Sequence, residues 1–330
     1  MNRLLRCMLG VGVGVVAALG AAPSARAQDD AFPSRPIRLL VGFAPGGGTD
    51  VVARVIAPRL SEILGQSVVV ENKPGASGIV AGGIVAKAPP DGYTLMMGVV
   101  SVNTILPHLF NNIPYDTATD FAPVTLTASV PHFIAVHPSV PVHSVPELIA
   151  YAKAHPGQLS FPSAGSGTTP HIAGEMFKSM AGVQLLHVPY KSTGQSMPDL
   201  LAGRLQVGFD TYPTTAPYVK TGKLRALAVT GARRLAEFPD LPTVAESGLP
   251  DYRFATWYGV FAPKGTPAAI VNRLHDGIAK AMAAPDVREQ LVKMGVDGTE
   301  TRTPEEFASL VRADTERFGK LVKAAGVRVD

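Results

Sequence analysis

The segment Phe43-Ala44-Pro45-Gly46-Gly47-Gly48-Thr49-Asp50 is a glycine-rich loop that leaves an apolar strand-like run (37–41) and enters a helix-like one (50–64). Three successive glycines let backbone N–H groups approach a ligand without side-chain obstruction, and a helix start adds partial positive charge. The chemistry this predicts is capture of an anion. A nucleotide does not fit, because neither the G-x-G-x-x-G fingerprint nor the Gly-Lys-Ser/Thr of a P-loop is present. Taken alone, the glycine run is also compatible with a structural turn.

A second loop of the same kind, Ser163-Ala164-Gly165-Ser166-Gly167-Thr168-Thr169-Pro170-His171, again leaves a strand and enters a helix. Thr169 suits an N-cap and Pro170 the first helical position, while Ser166, Gly167 and Thr168 offer hydroxyls and amides to an oxyanion. Two such helix starts opposed across a cleft would clamp a carboxylate. Neither loop contains lysine or arginine, so dipoles and hydrogen bonds would meet the charge. Ser166 could instead be a nucleophile, but Ala164-Gly165-Ser166-Gly167 is not the G-x-S-x-G elbow. His171 could donate to the ligand or pack against its loop, and Asp50 could cap its helix or meet a ligand donor. Asp210, ending the strand 205–209, would repel a carboxylate directly but accept from a hydroxyl, an ammonium or a bound water. Ser101, Asn103 and Thr104 form a third polar loop after the strand 93–100. The candidate ligand-binding set is therefore Phe43, Ala44, Pro45, Gly46, Gly47, Gly48, Thr49, Asp50, Ser101, Asn103, Thr104, Ser166, Gly167, Thr168, His171 and Asp210. No catalytic residue, metal site or cofactor is expected; His132, His137 and His143 lack metal-ligand spacing, and Trp257 suits a hinge or core position.

Strand-like and helix-like runs alternate throughout, which argues for an α/β protein with mostly parallel sheets. Strands are expected at 37–41, 67–71, 93–100, 159–161, 185–188, 205–209 and 224–230. Helices are expected at 50–64, with Pro58 kinking or ending it early, then at 79–87, 145–155, 170–180, 268–283, 286–294 and 304–325. A Pro-rich connection occupies 212–217. Two extended apolar stretches, 121–136 and 254–262, read as crossings between lobes. The resulting organisation is a discontinuous first lobe (28–130 and 255–330) and a second lobe (131–254), with a ligand cleft between them.

At the N-terminus, Arg3 and Arg6 precede an apolar run (9–19) too short to span a bilayer, followed by the A-x-A triplet Ala25-Arg26-Ala27. This predicts a signal peptide over 1–27, cleaved to leave Gln28 first, rather than a retained anchor. The only cysteine, Cys7, leaves with it, so disulfides, thiolate chemistry and a lipid anchor are excluded from the processed chain. Removing the segment also lowers the basic count to 27 against 26 acids. A net charge of +1 without basic clustering argues against nucleic acid.

Taken together, these motifs resemble the extracytoplasmic receptors of the tripartite tricarboxylate transporter family, the Bug or TctC type. The resemblance runs from Phe32-Pro33-Ser34-Arg35-Pro36-Ile37 and the first glycine loop through Val70-Glu71-Asn72-Lys73-Pro74-Gly75-Ala76-Ser77-Gly78 and Pro90-Asp91-Gly92-Tyr93-Thr94-Leu95. It continues with Gly165-Ser166-Gly167-Thr168, Val188-Pro189-Tyr190-Lys191 and Trp257-Tyr258-Gly259-Val260-Phe261-Ala262-Pro263. Ser192 after Lys191, and Thr169-Pro170 before His171, depart from the usual family pattern. The resemblance implies a type II periplasmic binding fold whose two glycine loops grip one carboxylate, partly through ordered waters, while the far end of the cleft sets selectivity. The expected function is that of a monomeric, non-enzymatic periplasmic receptor. It would capture a small mono-, di- or tricarboxylate, aromatic or amino acids included, for the membrane permease subunits of such a transporter. The alternatives are a sensor accessory docking on a signalling protein and an exported serine hydrolase using Ser166.

Overall fold

The computed structural model describes residues 32–296 and 301–325. The predicted signal segment lies outside them. In chain order the elements are β1 (Ile37–Val41), α1 (Gly48–Leu64), β2 (Val68–Asn72), α2 (Ile79–Ala86), β3 (Thr94–Val99), β4 (Phe121–Val136) and α3 (Val145–Ala154). They are followed by β5 (Ser160–Ser163), α4 (Thr169–Ala181), β6 (Leu186–Pro189), α5 (Thr193–Leu201), β7 (Val207–Thr211), α6 (Tyr212–Lys220) and β8 (Arg225–Val229). The chain then returns through β9 (Ala255–Pro263) to α7 (Ala268–Ala283), α8 (Pro285–Lys293) and α9 (Pro304–Ala325). Among the described residues no helix is long and apolar enough to cross a membrane.

The sheet order β2-β1-β3-β9-β4-β7, with β8 also on β4, explains how two α/β regions are joined. The first part of β4 pairs antiparallel with β9 from Phe121↔Pro263 to Pro131↔Ala255, and its last five residues pair with β7. One strand thus belongs to both regions, and β9 brings the chain back. This is the two-lobed α/β arrangement of a type II periplasmic binding fold. The expectation of mostly parallel strands is corrected in its detail. β1–β2, β1–β3 and β5–β6 are parallel, but every pairing of β4 and β9 is antiparallel, because the two crossings run in opposite directions between the same two regions. Pro123, lacking a donor for the ladder, sits at a register shift in β4.

Proline misled two of the helix assignments. Pro58 lies inside α1, which nonetheless runs on to an αL cap at Gly65, because Val52, Ile56, Leu60 and Leu64 bury one continuous face. The supposed connection around 212–217 is the helix α6: Pro213 falls in its first turn, where a missing N–H costs no bond. Helix α5 went unread, although Ser192 caps it by accepting from the Gln195 amide, a Ser-x-x-Gln signature.

The second region's core centres on Phe133 of β4, fully buried, stacked on Tyr212 at 5.3 Å and edge-on to Phe238 at 5.4 Å. These contacts hold α6 and β7 in place under the site described below. Truncating Phe133 to alanine is expected to cost about 3–5 kcal/mol, measurable as a lowered denaturant midpoint. A loss under about 1 kcal/mol would show that this cluster does not anchor the region.

Candidate functional site

Four helix starts converge on one cavity. Its walls include Gly47, Gly48 and Thr49 at the start of α1, Thr168, Thr169 and Pro170 at α4, Ser192 and Thr193 at α5, and Asp210 and Thr211 at α6. Phe43, Val99, Ser101, Ala164 and Tyr258 complete the lining of a space of about 30 Å³, room for about two water-sized spheres. First-turn N–H groups have no partner within their own helix. Each start carries about half a positive charge, so an anion here faces a combined field that no single loop supplies.

Behind the first glycine loop, Asp50 acts as a brace. Its carboxylate accepts from the Gly46 amide at 3.0 Å, from Arg54 Nε at 2.9 Å and from Asn72 Nδ2 at 2.8 Å. Burial works to raise this carboxyl, but the Arg54, Gly46 and Asn72 hydrogen bonds prevail and hold it below its ordinary value. The helix is capped at Gly47 with no side-chain contribution, so Asp50 neither caps it nor lines the cavity. Gly46, at φ +84°, needs glycine for its backbone. Gly48 needs it for space: a Cβ there would lie 2.3 Å from Tyr258 Oη and 2.9 Å from Thr211 Oγ1, whereas at Gly47 the nearest atom is 3.7 Å away.

His171 braces the second loop in the same way. Its Nδ1 accepts from the Gly167 amide at 2.9 Å, which fixes the proton on Nε2, 3.8 Å from Glu175 Oε1. The ring stacks on His187 at 3.9 Å, and His187 Nε2 meets Ser163 Oγ at 2.6 Å. Burial pushes His171 down to about 3 and His187 to about 4, so two neutral rings can stack without repulsion. Thr168 rather than Thr169 is the N-cap residue, and its hydroxyl donates to Gly165 O at 2.6 Å.

Of the residues singled out from sequence, Phe43, Gly47, Gly48, Thr49, Ser101, Thr168 and Asp210 line the cavity. Ala44, Pro45, Gly46, Asp50, Asn103, Thr104, Ser166, Gly167 and His171 stand outside its lining. The segment after β3 is one turn of π-helix, Ser101–Ile105, not an open loop, and Thr104 Oγ1 turns back onto Val100 O at 2.6 Å. Thr169 and Pro170, read from sequence only as the start of their helix, line the cavity too, and sequence reasoning passed over Val99, Ala164, Ser192, Thr193, Thr211 and Tyr258 as site residues. The Ser-x-x-Gln cap at 192–195 was a usable signal for two of them.

The loops also touch across the cleft. Ser77 Oγ donates to Ser166 O at 2.7 Å, and a Cβ on Gly194 would lie 3.0 Å from the Gly46 carbonyl carbon. A second chamber of about 110 Å³ adjoins the first through Phe43 and Ala164 and is lined by Gly75, Ala76, Ser77, Tyr190 and Lys191. Ala76 and Ser77 hold φ of +45° and +55° there, a strained conformation for residues other than glycine.

Residues 52–327 match the family model described as tripartite tricarboxylate transporter family receptor. The chain belongs to this family. It is 43% identical over 302 residues to a protein encoded in the tcbD-tcbE intergenic region of Pseudomonas sp. (strain P51), covering 91% of this chain and 89% of that one. Among solved structures, a protein of R. palustris with adipate is 39% identical at TM-score 0.87, covering 90% and 99% of the two chains. MatC from Rhodopseudomonas palustris with bound malate is 33% identical at TM-score 0.84, covering 88% and 100%. Family and fold are therefore those of a solute-binding receptor.

Inside this receptor, Asp210 is a buried carboxyl in the lining of the cavity where the four helices start. It accepts from the Thr211 amide at 2.6 Å, but burial outweighs this and the surrounding threonine hydroxyls, raising it from its ordinary 3.8 to about 6. Between those values the folded state binds more protons than the unfolded state, so this group's contribution to stability is present in acid and is lost as pH rises towards 6. Asp210→Asn keeps an acceptor for Thr211 and removes the charge. The variant should melt at least about 2 °C higher than wild type at pH 7.5, with the difference vanishing near pH 4. A lower melting temperature at pH 7.5 would show that the charged form is the one the fold prefers.

Proposed function

We propose that this receptor works in the periplasm and captures a small carboxylate, a dicarboxylate above all, for the permease subunits of a tripartite tricarboxylate-type transporter. The observation that carries this reading is the convergence of four helix starts on one small cavity with no lysine or arginine in its lining. One carboxylate group fits that space. The rest of the solute would extend past Phe43 and Ala164 into the second chamber, where Lys191 is the cation available to a distal acid. The adipate and malate held by two similar proteins have this two-ended chemistry. The lobes would comprise 28–130 with 255–330, and 131–254, and would close about β4 and β9. The chain would act as a monomer, without cofactor or nucleic acid. A hydrolase reading finds little support, since His171, the histidine nearest Ser166 in sequence, commits Nδ1 to the Gly167 amide.

Closure of a two-state receptor requires the solute to favour the closed form by only a few kcal/mol. A ligand at 100 times its Kd adds about 2.7 kcal/mol of stability, so a melting-temperature screen against malate, adipate, monocarboxylates, amino acids and neutral sugars tests the reading directly. Stabilisation by neutral sugars alone would overturn it. Gly48→Val should weaken carboxylate binding at least about 100-fold by driving Tyr258 and Thr211 away from the helix start, while Gly47→Ala leaves it within about threefold. Equal affinities in the two variants would count against this cavity. Lys191→Met should weaken dicarboxylates about tenfold and leave monocarboxylates unchanged. An equal loss for both classes would remove the distal role from Lys191.

A further inference from the structure

Residues 257 and 258 are neighbours in β9 and point to opposite faces of the sheet. Tyr258 lines the helix-start cavity; Trp257 lines a separate depression of about 400 Å³ on the other side. Three arginines from three chain segments rim this rear pocket: Arg253 just before β9, Arg302 just before α9, and Arg317 within α9. Asp314 is the only acid in its lining among the described residues. It is already occupied, accepting from Trp257 Nε1 at 2.7 Å and from Arg317 at 3.1 Å. Arg253 and Arg302 have no carboxylate within salt-bridge distance among the described residues, although Thr125 Oγ1 anchors the Arg302 backbone carbonyl at 2.7 Å. Ser129 adds an exposed hydroxyl-bearing residue to the wall, whereas the buried Thr230 hydroxyl is committed to Phe254 O at 2.6 Å. A planar guanidinium pairs in bidentate fashion with carboxylate or phosphate oxygens, and the volume lies in the range of small-molecule sites.

We propose that this rear pocket, framed by Arg253, Arg302 and Arg317 behind the crossing strands, binds a small multivalent oxyanion at a site separate from the carboxylate cleft. Both crossings contribute to its wall, Ser129 from β4 and Trp257 from β9, so a guest there contacts the strands about which the lobes would move. Trp257 is the only tryptophan in the chain, which makes intrinsic fluorescence a local reporter. The whole receptor is titrated with sodium pyrophosphate and, separately, with propane-1,2,3-tricarboxylate, at ionic strength held constant with sodium chloride. A saturable change in Trp257 emission is expected with at least one probe, at least tenfold weaker in R253Q/R302Q and unchanged in R273Q, whose side chain lies outside the pocket. Both arginines of the double variant are exposed, and a thermal melt matching wild type verifies its fold. A response with only one probe supports the site and assigns phosphate or carboxylate chemistry to it. No saturable response with either probe, or an undiminished one in R253Q/R302Q, overturns the proposal.

Discussion

An anion removed from water needs compensating positive potential, and the cavity of this receptor is lined by main-chain helix starts with no cationic side chain among them. Four helices of the fold begin at one point, and the rest of the architecture can be understood as the means of holding them there. Each is launched from the carboxyl end of a strand or a short loop beyond it, so the sheet order determines where the dipoles meet. The arrangement uses no side chain long enough to move, which keeps the potential in place before a solute arrives.

Holding such a field open requires second-row support. Asp50 and His171 perform equivalent tasks on opposite loops: each accepts a backbone amide four residues earlier and fixes the loop's curvature. One does so as a carboxylate stabilised by Arg54, the other as a neutral imidazole kept neutral by burial and stacking. Both therefore remove an amide from the pool that could face a ligand. With the amides of Gly46 and Gly167 engaged by Asp50 and His171, the backbone of Gly47 and Gly48 is what the first loop presents to the cavity.

Much of this was legible in the residues. The strand at 37–41, the long crossing at 121–136 and the helices at 268–283 and 304–325 have the same ends in sequence and structure, because uninterrupted apolar periodicity specifies them. The two glycine loops were also visible, since few other residues tolerate that backbone. The contributions of α5 and α6 were not. Proline density around 212–217 masked a helix, and nothing local announces that Ser192 will face Gly47 or Thr211 face Gly48. Tyr258 was hidden for a different reason: strand alternation shows that neighbours diverge, but not which of them faces the cavity. Asp50 and His171 were recognisable as polar residues near the loops, yet their orientation towards the loop backbone depends on partners such as Asn72 and His187, which only tertiary packing brings near.

The approach of Gly194 to Gly46 has a consequence for how relatives of this protein diverge. At that point the approach is peptide against peptide, the nearest neighbours of Gly194 being backbone atoms of Gly46 and Pro45. Residues around the chamber can then be exchanged while this backbone contact stays the same. Selectivity and latch strength become separately adjustable traits, and a lineage can change diet without rebuilding its door.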